Sequence, residues 1–200
     1  MYQNRLYIII LILFSALSIS AQTAKQILDK TASIVGRTGG ASGNFRMTSP
    51  TYGSTSGIIA IKGKKFYANT AEAKVWFDGK TQWAYLKSTD EVSISTPTQA
   101  EQMAMNPYTF INIYKTGFKM NMKTISGNYE IHLIAQNKKR TIQEMYITIG
   151  KDYLPKSVKM RQGTSWTNIF ISKFLAKDQN DSIFKFNSKD CPNAEIIDLR

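Results

Sequence analysis

Between residues 42 and 175, bulky apolar side chains return at every second position, in short runs divided by clusters of Gly, Asp, Asn and Ser. A period of two marks strands, because successive side chains point to opposite faces of a sheet. The runs predict strands over 42–48, 56–62, 65–70, 73–77, 81–87 and 91–95, then over 118–124, 129–135, 142–149, 155–162 and 166–175. Short strands at this regular spacing predict an up-and-down antiparallel sheet curled toward a barrel. A different period precedes them: Ala24, Ile27, Leu28, Ala32 and Val35 recur at helical spacing. Thr23-Ala24-Lys25-Gln26 reads as a capping box, its Thr hydroxyl and Gln amide satisfying the first free N–H groups, and Gly36 closes the helix. Such an amphipathic helix needs a sheet to lie on.

The alternation breaks between residues 98 and 117. Thr98-Gln99-Ala100-Glu101 is a second capping box, opening a short helix that carries Met103 and Met105. Asn106-Pro107 restarts a helix, with Asn as cap and Pro at its favoured first position, and Tyr108, Ile111 and Tyr114 follow along one face. Two short apolar helices therefore interrupt an otherwise β chain.

Within the strands, residues 75–85 carry the sharpest signal. Asp78-Gly79 between β-forming residues marks a hairpin, because Gly supplies the positive φ that a primed turn requires. Val75 and Phe77 alternate with Trp76 before the turn, and Trp83 and Tyr85 alternate with Gln82 and Ala84 after it. A ribbon that is bulky on both faces needs apolar cover twice. One cover is the core; the other, in an exported chain, is expected to be a lipid.

The expectation of export rests on the first residues. Arg5 is a positive start, residues 6–17 are apolar apart from Ser15, and Ser18-Ile19-Ser20-Ala21 suits cleavage before Gln22. That run is short for a membrane span, which needs about 20 apolar residues. No Cys follows it, so the chain is not itself a lipoprotein. The organisation expected is a signal peptide over 1–21 and a single domain over 22–200, soluble in an envelope space. Cys191 is the only cysteine, which excludes an intramolecular disulfide and suits a small buried residue. A formal net charge of +12 suggests attraction to anionic surfaces. Nucleic acid is not favoured: Lys64-Lys65 and Lys138-Lys139-Arg140 fall in predicted turns, and elsewhere Lys alternates with apolar residues as on the wet face of a sheet.

Catalytic constellations are scarce, and no enzyme is expected. His132 is the only histidine and sits in a strand beside Glu130 and Ile134. No His/Cys cluster has metal-ligand spacing, no Gly-rich loop leads a helix, and no Gly-x-Ser-x-Gly elbow occurs, so no cofactor or metal is expected. Asp90-Glu91, and Glu195 with Asp198, read as solvated charges. The positive evidence is apolar surplus. Alternation places Phe45, Met47, Ile59, Ile61, Phe66, Trp83 and Tyr85 on the concave face, and Met103, Met105, Met120 and Met122 add adaptable side chains. Periodicity does not distinguish a filled core from an empty cavity.

These pieces, in this order, resemble the LolA-type outer-membrane lipoprotein carriers. The first helix is followed by Gly43-Asn44-Phe45-Arg46-Met47, by the Gly-led strand Gly57-Ile58-Ile59-Ala60-Ile61-Lys62, and by Phe66-Tyr67. Asp78-Gly79-Lys80-Thr81-Gln82-Trp83-Ala84-Tyr85 resembles the family's Asp-Gly-Lys-x-x-Trp-x-Tyr hairpin, and Phe184-Lys185-Phe186 with 196–200 resembles its closing segment. The resemblance implies an α+β fold: an incomplete antiparallel β-barrel, a curled sheet with an N-terminal helix and short lid helices over an apolar cavity. It implies a periplasmic carrier that holds the acyl chains of lipoproteins or other lipids and ferries them from inner to outer membrane. Phe45, Met47, Ile59, Ile61, Phe66, Trp83, Tyr85, Met103, Tyr108, Ile111, Met120 and Met122 would line that cavity. Its partners would be an inner-membrane lipoprotein-releasing complex and, in some bacteria, an outer-membrane acceptor, with the carrier a monomer. The alternative is a lipid-binding or envelope-sensing module on the same fold, without transfer. The family typically places a lid-latching Arg after the Gly-led strand; the equivalent position here is Gly63, which leaves Lys64 and Lys65 as latch candidates.

Overall fold

The structure, a computed structural model, describes residues 22–50, 53–98 and 112–200. The expected helix forms as α1, Ala24–Val35. Its capping box is closed both ways: the Gln26 N–H donates to Thr23 Oγ1 at 3.2 Å, and the Thr23 N–H donates to Gln26 Oε1 at 2.9 Å. Gly36 ends the helix with φ of −88°, so it terminates the chain of bonds without the left-handed conformation that closing glycines often adopt. Ile27, Leu28, Thr31 and Val35 form the buried stripe.

The strands are β1 (Ala41–Ser49), β2 (Gly53–Lys62), β3 (Lys65–Thr70), β4 (Ala73–Phe77), β5 (Gln82–Leu86), β6 (Glu91–Ser95), β7 (Phe118–Ile125), β8 (Asn128–Ala135), β9 (Glu144–Ile149), β10 (Pro155–Gln162), β11 (Ser165–Leu175) and β12 (Glu195–Asp198). They make one twelve-stranded sheet in the order β12-β6-β5-β4-β3-β2-β1-β11-β10-β9-β8-β7. The fold class is the expected α+β incomplete barrel: a curled, mainly antiparallel sheet, left open with β12 and β7 as its outer strands. Its path is not the single meander that spacing suggests. Two meanders, β1–β6 and β7–β11, are joined by antiparallel pairing of β1 with β11. Spacing also does not reveal β12, which pairs parallel with β6. The lid helices expected around Met103 and Asn106-Pro107, with Met105, Tyr108 and Ile111, lie outside the described residues, as does the segment 1–21 expected to be a signal peptide.

The turn at Asp78-Gly79 is a four-residue loop. Asp78 Oδ1 accepts from the Lys80 and Thr81 N–H groups at 2.9 and 2.8 Å, and Gly79 takes the positive φ, +100°. A second backbone device acts at β11. Lys173 has φ of +49°, and the register with β1 shifts there, so one extra residue is inserted. This bulge returns Phe174 to the helix side of the sheet, where it packs with Val35, Ala41, Ile61, Phe66 and Phe77.

Ladder pairing separates the two faces. The inner face, under α1, carries a first buried cluster in which Ile27 and Leu28 meet Ile131, Leu133, Met145, Ile147 and Met160. The second cluster lies beneath the C-terminal end of the helix, around Val35. On the outer face of β3–β6, Trp76 and Val92 are covered by the chain's own C-terminal segment through Phe186, Cys191 and Ala194. Trp76 meets Phe186 edge to face with ring centres 5.4 Å apart. The second cover expected for the 75–85 ribbon is thus protein, not lipid. Cys191 is buried there, and burial pushes its thiol above the ordinary value, as suits a small core residue.

Gly57 on β2 shows how tightly the sheet is drawn. A Cβ at this position would stand 2.1 Å from the Asn69 carbonyl oxygen on β3, a contact no side chain can occupy. Gly57→Ala should therefore part β2 from β3 and lower stability by about 1–3 kcal/mol, measured as the shift in urea denaturation.

Candidate functional site

The middle of the inner face is apolar but not sealed. Phe45 and Met47 on β1 stand beside Ile171 and Ile169 on β11, and Ile59 follows on β2. All five are half-buried, between the two buried clusters. Opposite Phe45 lies Gly57, so the aromatic ring has no cross-strand side chain beside it on β2. A continuous row then runs across the sheet: Met47, Ile169, Val158, Ile147, Ile131, Met122. Its centre is buried beneath α1 while both ends, at Met47 and Met122, remain half-exposed. These lining positions carry no titratable group. Thr55 is the polar neighbour of Met47 on β2, and Ser49 and Thr167 at the next row satisfy one another at 3.2 Å. Such a lining can exclude water from a hydrocarbon, and among its described residues none is an acid, a base or a cysteine.

The expected lining is only partly brought together. Phe45, Met47, Ile59, Met120 and Met122 share the inner face, with Met120 on the row of Leu133. Ile61 and Phe66 share it too, but they are 7% and 3% exposed and belong to the filled second cluster. Trp83 and Tyr85 are a correction. The register Tyr67–Trp76–Trp83 puts them on the outer face, opposite Phe66, and they pack beside Trp76 and Phe186. Alternation within one strand fixes two faces but not which is inward, and on β5 the aromatic face is the outer one. Met103, Tyr108 and Ile111 lie outside the described residues. Ile169 and Ile171 join the strip without being expected there. β11 carries Trp166 and Phe170 on one face and these isoleucines on the other, so its sequence favours neither side.

The latch candidates are placed differently from each other. Lys65 Nζ lies 2.9 Å from Asp181 Oδ1, with Lys62 Nζ 3.3 Å from the same atom and 3.1 Å from the Gln179 carbonyl. These lysines tie the C-terminal segment to the β2–β3 hairpin. Lys64 is an exposed turn residue at its tip.

Ionisable groups collect on the outer face of β8–β11 instead. His132 Nε2 is 2.8 Å from Glu144 Oε1, and its ring stacks on Tyr146 at 4.2 Å. Arg161 Nε donates to Glu144 Oε2 at 3.0 Å, and the Tyr146 hydroxyl donates to Glu144 Oε1 at 3.2 Å. Burial works to raise the Glu144 carboxyl, but the bonds from His132, Arg161 and Tyr146 outweigh it and hold the group below its ordinary 4.5. His132 is thus bound into a structural network. Two of the other candidate carboxylates are engaged as well: Asp90 accepts the Tyr85 hydroxyl at 2.8 Å, and Arg200 holds Asp198 down at about 2. Among the described residues no cluster of His, Cys, Asp and Glu could hold a metal ion.

Comparison with known proteins gives this geometry a setting. The sequence model of a family described as outer membrane lipoprotein carrier protein LolA matches residues 14–164, from the N-terminal apolar run to the turn before β11. The closing segments 184–186 and 196–200 lie beyond that match. Comparison with curated protein sequences finds no match. Among solved structures, an uncharacterized conserved protein from Thermus thermophilus is similar, with a TM-score of 0.57 and 12% identity, over 88% of this chain and 99% of that one. At that identity the likeness shows the fold alone. A LolA superfamily protein from Nitrosomonas europaea is similar at 0.43 and 12%, over 83% and 99%. LprF from Mycobacterium bovis is similar at 0.44 and 8%, over 79% and 96%.

The network around Glu144 has a testable sign. A carboxyl whose value is lower in the folded state confers stability that is complete above pH 4.5 and is lost as pH falls below it. Glu144→Gln should lower urea stability at pH 7 by about 1 kcal/mol, a modest value because the network is partly exposed. That gap from wild type should narrow in titrations taken below pH 4.5.

Proposed function

The chain belongs to the LolA family of outer membrane lipoprotein carriers, and on that premise we propose that it is a periplasmic carrier holding lipoprotein acyl chains against its inner face. The observation that carries this reading is the half-exposed apolar strip of Phe45, Met47, Ile59, Ile169 and Ile171, free of charge and set between two filled clusters. A lipid chain gains about 0.8 kcal/mol for each methylene withdrawn from water, so leaving a bilayer requires a substitute apolar surface of this kind. The chain is proposed to reach the periplasm with residues 1–21 removed and 22–200 as its single domain. It would act as a monomer, without enzymatic activity, between an inner-membrane releasing complex and an outer-membrane acceptor where one exists. The formal net charge of +12, reduced by one when Arg5 leaves with residues 1–21, would favour docking on anionic membranes or acidic partners.

Gly63 stands where the family's latching Arg is expected, and Lys65 is given over to Asp181. This departure favours a second reading, a lipid-binding or envelope-sensing module that does not hand its cargo on.

Transfer separates the two. Donor membranes bearing a labelled triacylated lipoprotein, supplied with energy and the purified protein, should yield a soluble stoichiometric complex. Failure to release any, with a known carrier working in parallel, would leave the sensing module. Binding itself is tested by displacement of a fluorescent fatty acid. Phe45→Asp should weaken it by roughly tenfold or more, since a carboxylate buried without a partner costs several kcal/mol. Trp83→Ala, on the other face, should leave binding in place while lowering the denaturation midpoint.

A further inference from the structure

The outer face of β8–β11 holds a hollow of about 300 Å³ that the inner-face reading does not use. Its origin is a row of small residues. Across the ladder Phe170, Ser157, Thr148 and Glu130 stand side by side, so two short hydroxyl side chains lie between a large aromatic and a carboxylate. The next row supplies a taller wall of Asn168, Lys159 and Tyr146. That wall is held in place: Tyr146 is stacked on His132 and bonded to Glu144, and Lys159 Nζ rests 4.7 Å from the centre of the Trp166 ring. Phe170 is 58% exposed, an unusual position for a phenylalanine on a sheet face otherwise rich in polar groups.

From this lining we infer that the hollow binds a neutral saccharide ring, a hexose or N-acetylhexosamine unit of a glycan. The chemistry discriminates among ligands. Hydrocarbon would leave the Ser157 and Thr148 hydroxyls without partners, which is costly. A phosphate or carboxylate calls for converging cations or N–H groups, whereas the hollow sets one lysine against one glutamate. Glu130 is itself paired with Lys123 at 3.1 Å. A sugar ring matches both halves of the surface: an apolar C–H face for Phe170, and hydroxyls that donate to Glu130 and exchange bonds with Ser157, Thr148 and Asn168. The volume lies at the low end of small-ligand sites and accommodates one or two rings. Because the hollow is a shallow depression on a sheet face, affinity for a short saccharide is weak, in the millimolar range. Lying on the outer face, it is available while the inner face is occupied.

The test is an NMR titration of the ¹⁵N-labelled protein with cellobiose and with N,N′-diacetylchitobiose, and with glycerol and inorganic phosphate as controls. At least one disaccharide should give saturable shifts at the amides of Thr148, Ser157 and Phe170, with glycerol giving none. Phe170→Ala should weaken that binding about fivefold, the worth of one aromatic face. Ser157→Gln, which fills the floor, should abolish it with the thermal midpoint and fatty-acid displacement unchanged. No saturable shift with either disaccharide overturns the inference, as does an equal response to phosphate, which would make the hollow an anion site. Loss of fatty-acid displacement with the saccharide response intact would instead count against the carrier reading alone.

Discussion

The pairing of β1 with β11 is the constraint on which the rest of this molecule depends. Each meander could form by local hairpins, since within β1–β6 and within β7–β11 each strand lies beside the next in sequence. Neither alone makes the curled surface under α1. The β1–β11 ladder brings residues near 45 beside residues near 171, and the half-exposed strip of Phe45, Met47, Ile169 and Ile171 lies along that seam. Helix α1 bridges the same division, with Ile27 and Leu28 over one meander and Val35 over the other. The half-exposed apolar strip is therefore a product of how the halves meet rather than of any one strand.

Two faces of one sheet are put to different uses. The inner face is covered by α1 at its ends and left apolar and accessible between them. The outer face is divided: over β3–β6 it is sealed by the chain's own C-terminal segment, and over β8–β11 it carries the ionic and aromatic network around Glu144. This division explains how a chain with so many aromatic residues need not place all of them in a ligand site. Trp76, Trp83, Tyr67 and Tyr85 hold the protein's own tail; their burial contributes stability whatever the inner face holds.

Much of this is legible in the sequence, for local reasons. The Thr23–Gln26 box and the spacing of Ile27, Leu28 and Val35 carry their own geometry, and the helix forms where they direct. Strand positions follow equally from alternation and from turn residues such as Asp78 and Gly79. What stays hidden is non-local. Nothing near Phe45 in the chain announces Ile171 as its neighbour, and the side taken by Trp83 depends on which face the helix covers. Bulky residues on both sides of β4 and β11 remove the polar face that ordinarily settles the matter. The strand Glu195–Asp198 escapes notice because its ends are charged and its partner β6 lies about a hundred residues earlier, in a parallel register that no turn signals.

The C-terminal segment has a meaning for how the protein is made as well as for how it stands. Until Phe186, Cys191 and Ala194 have docked, the outer face of β3–β6 presents a band of tryptophan and tyrosine to water. Exposed apolar patches leave unfinished chains prone to aggregation and are what chaperones guard against. A molecule lacking this segment would expose that band on the face opposite α1. The segment that carries Phe186, Cys191 and Ala194 is the one that withdraws this aromatic band from water.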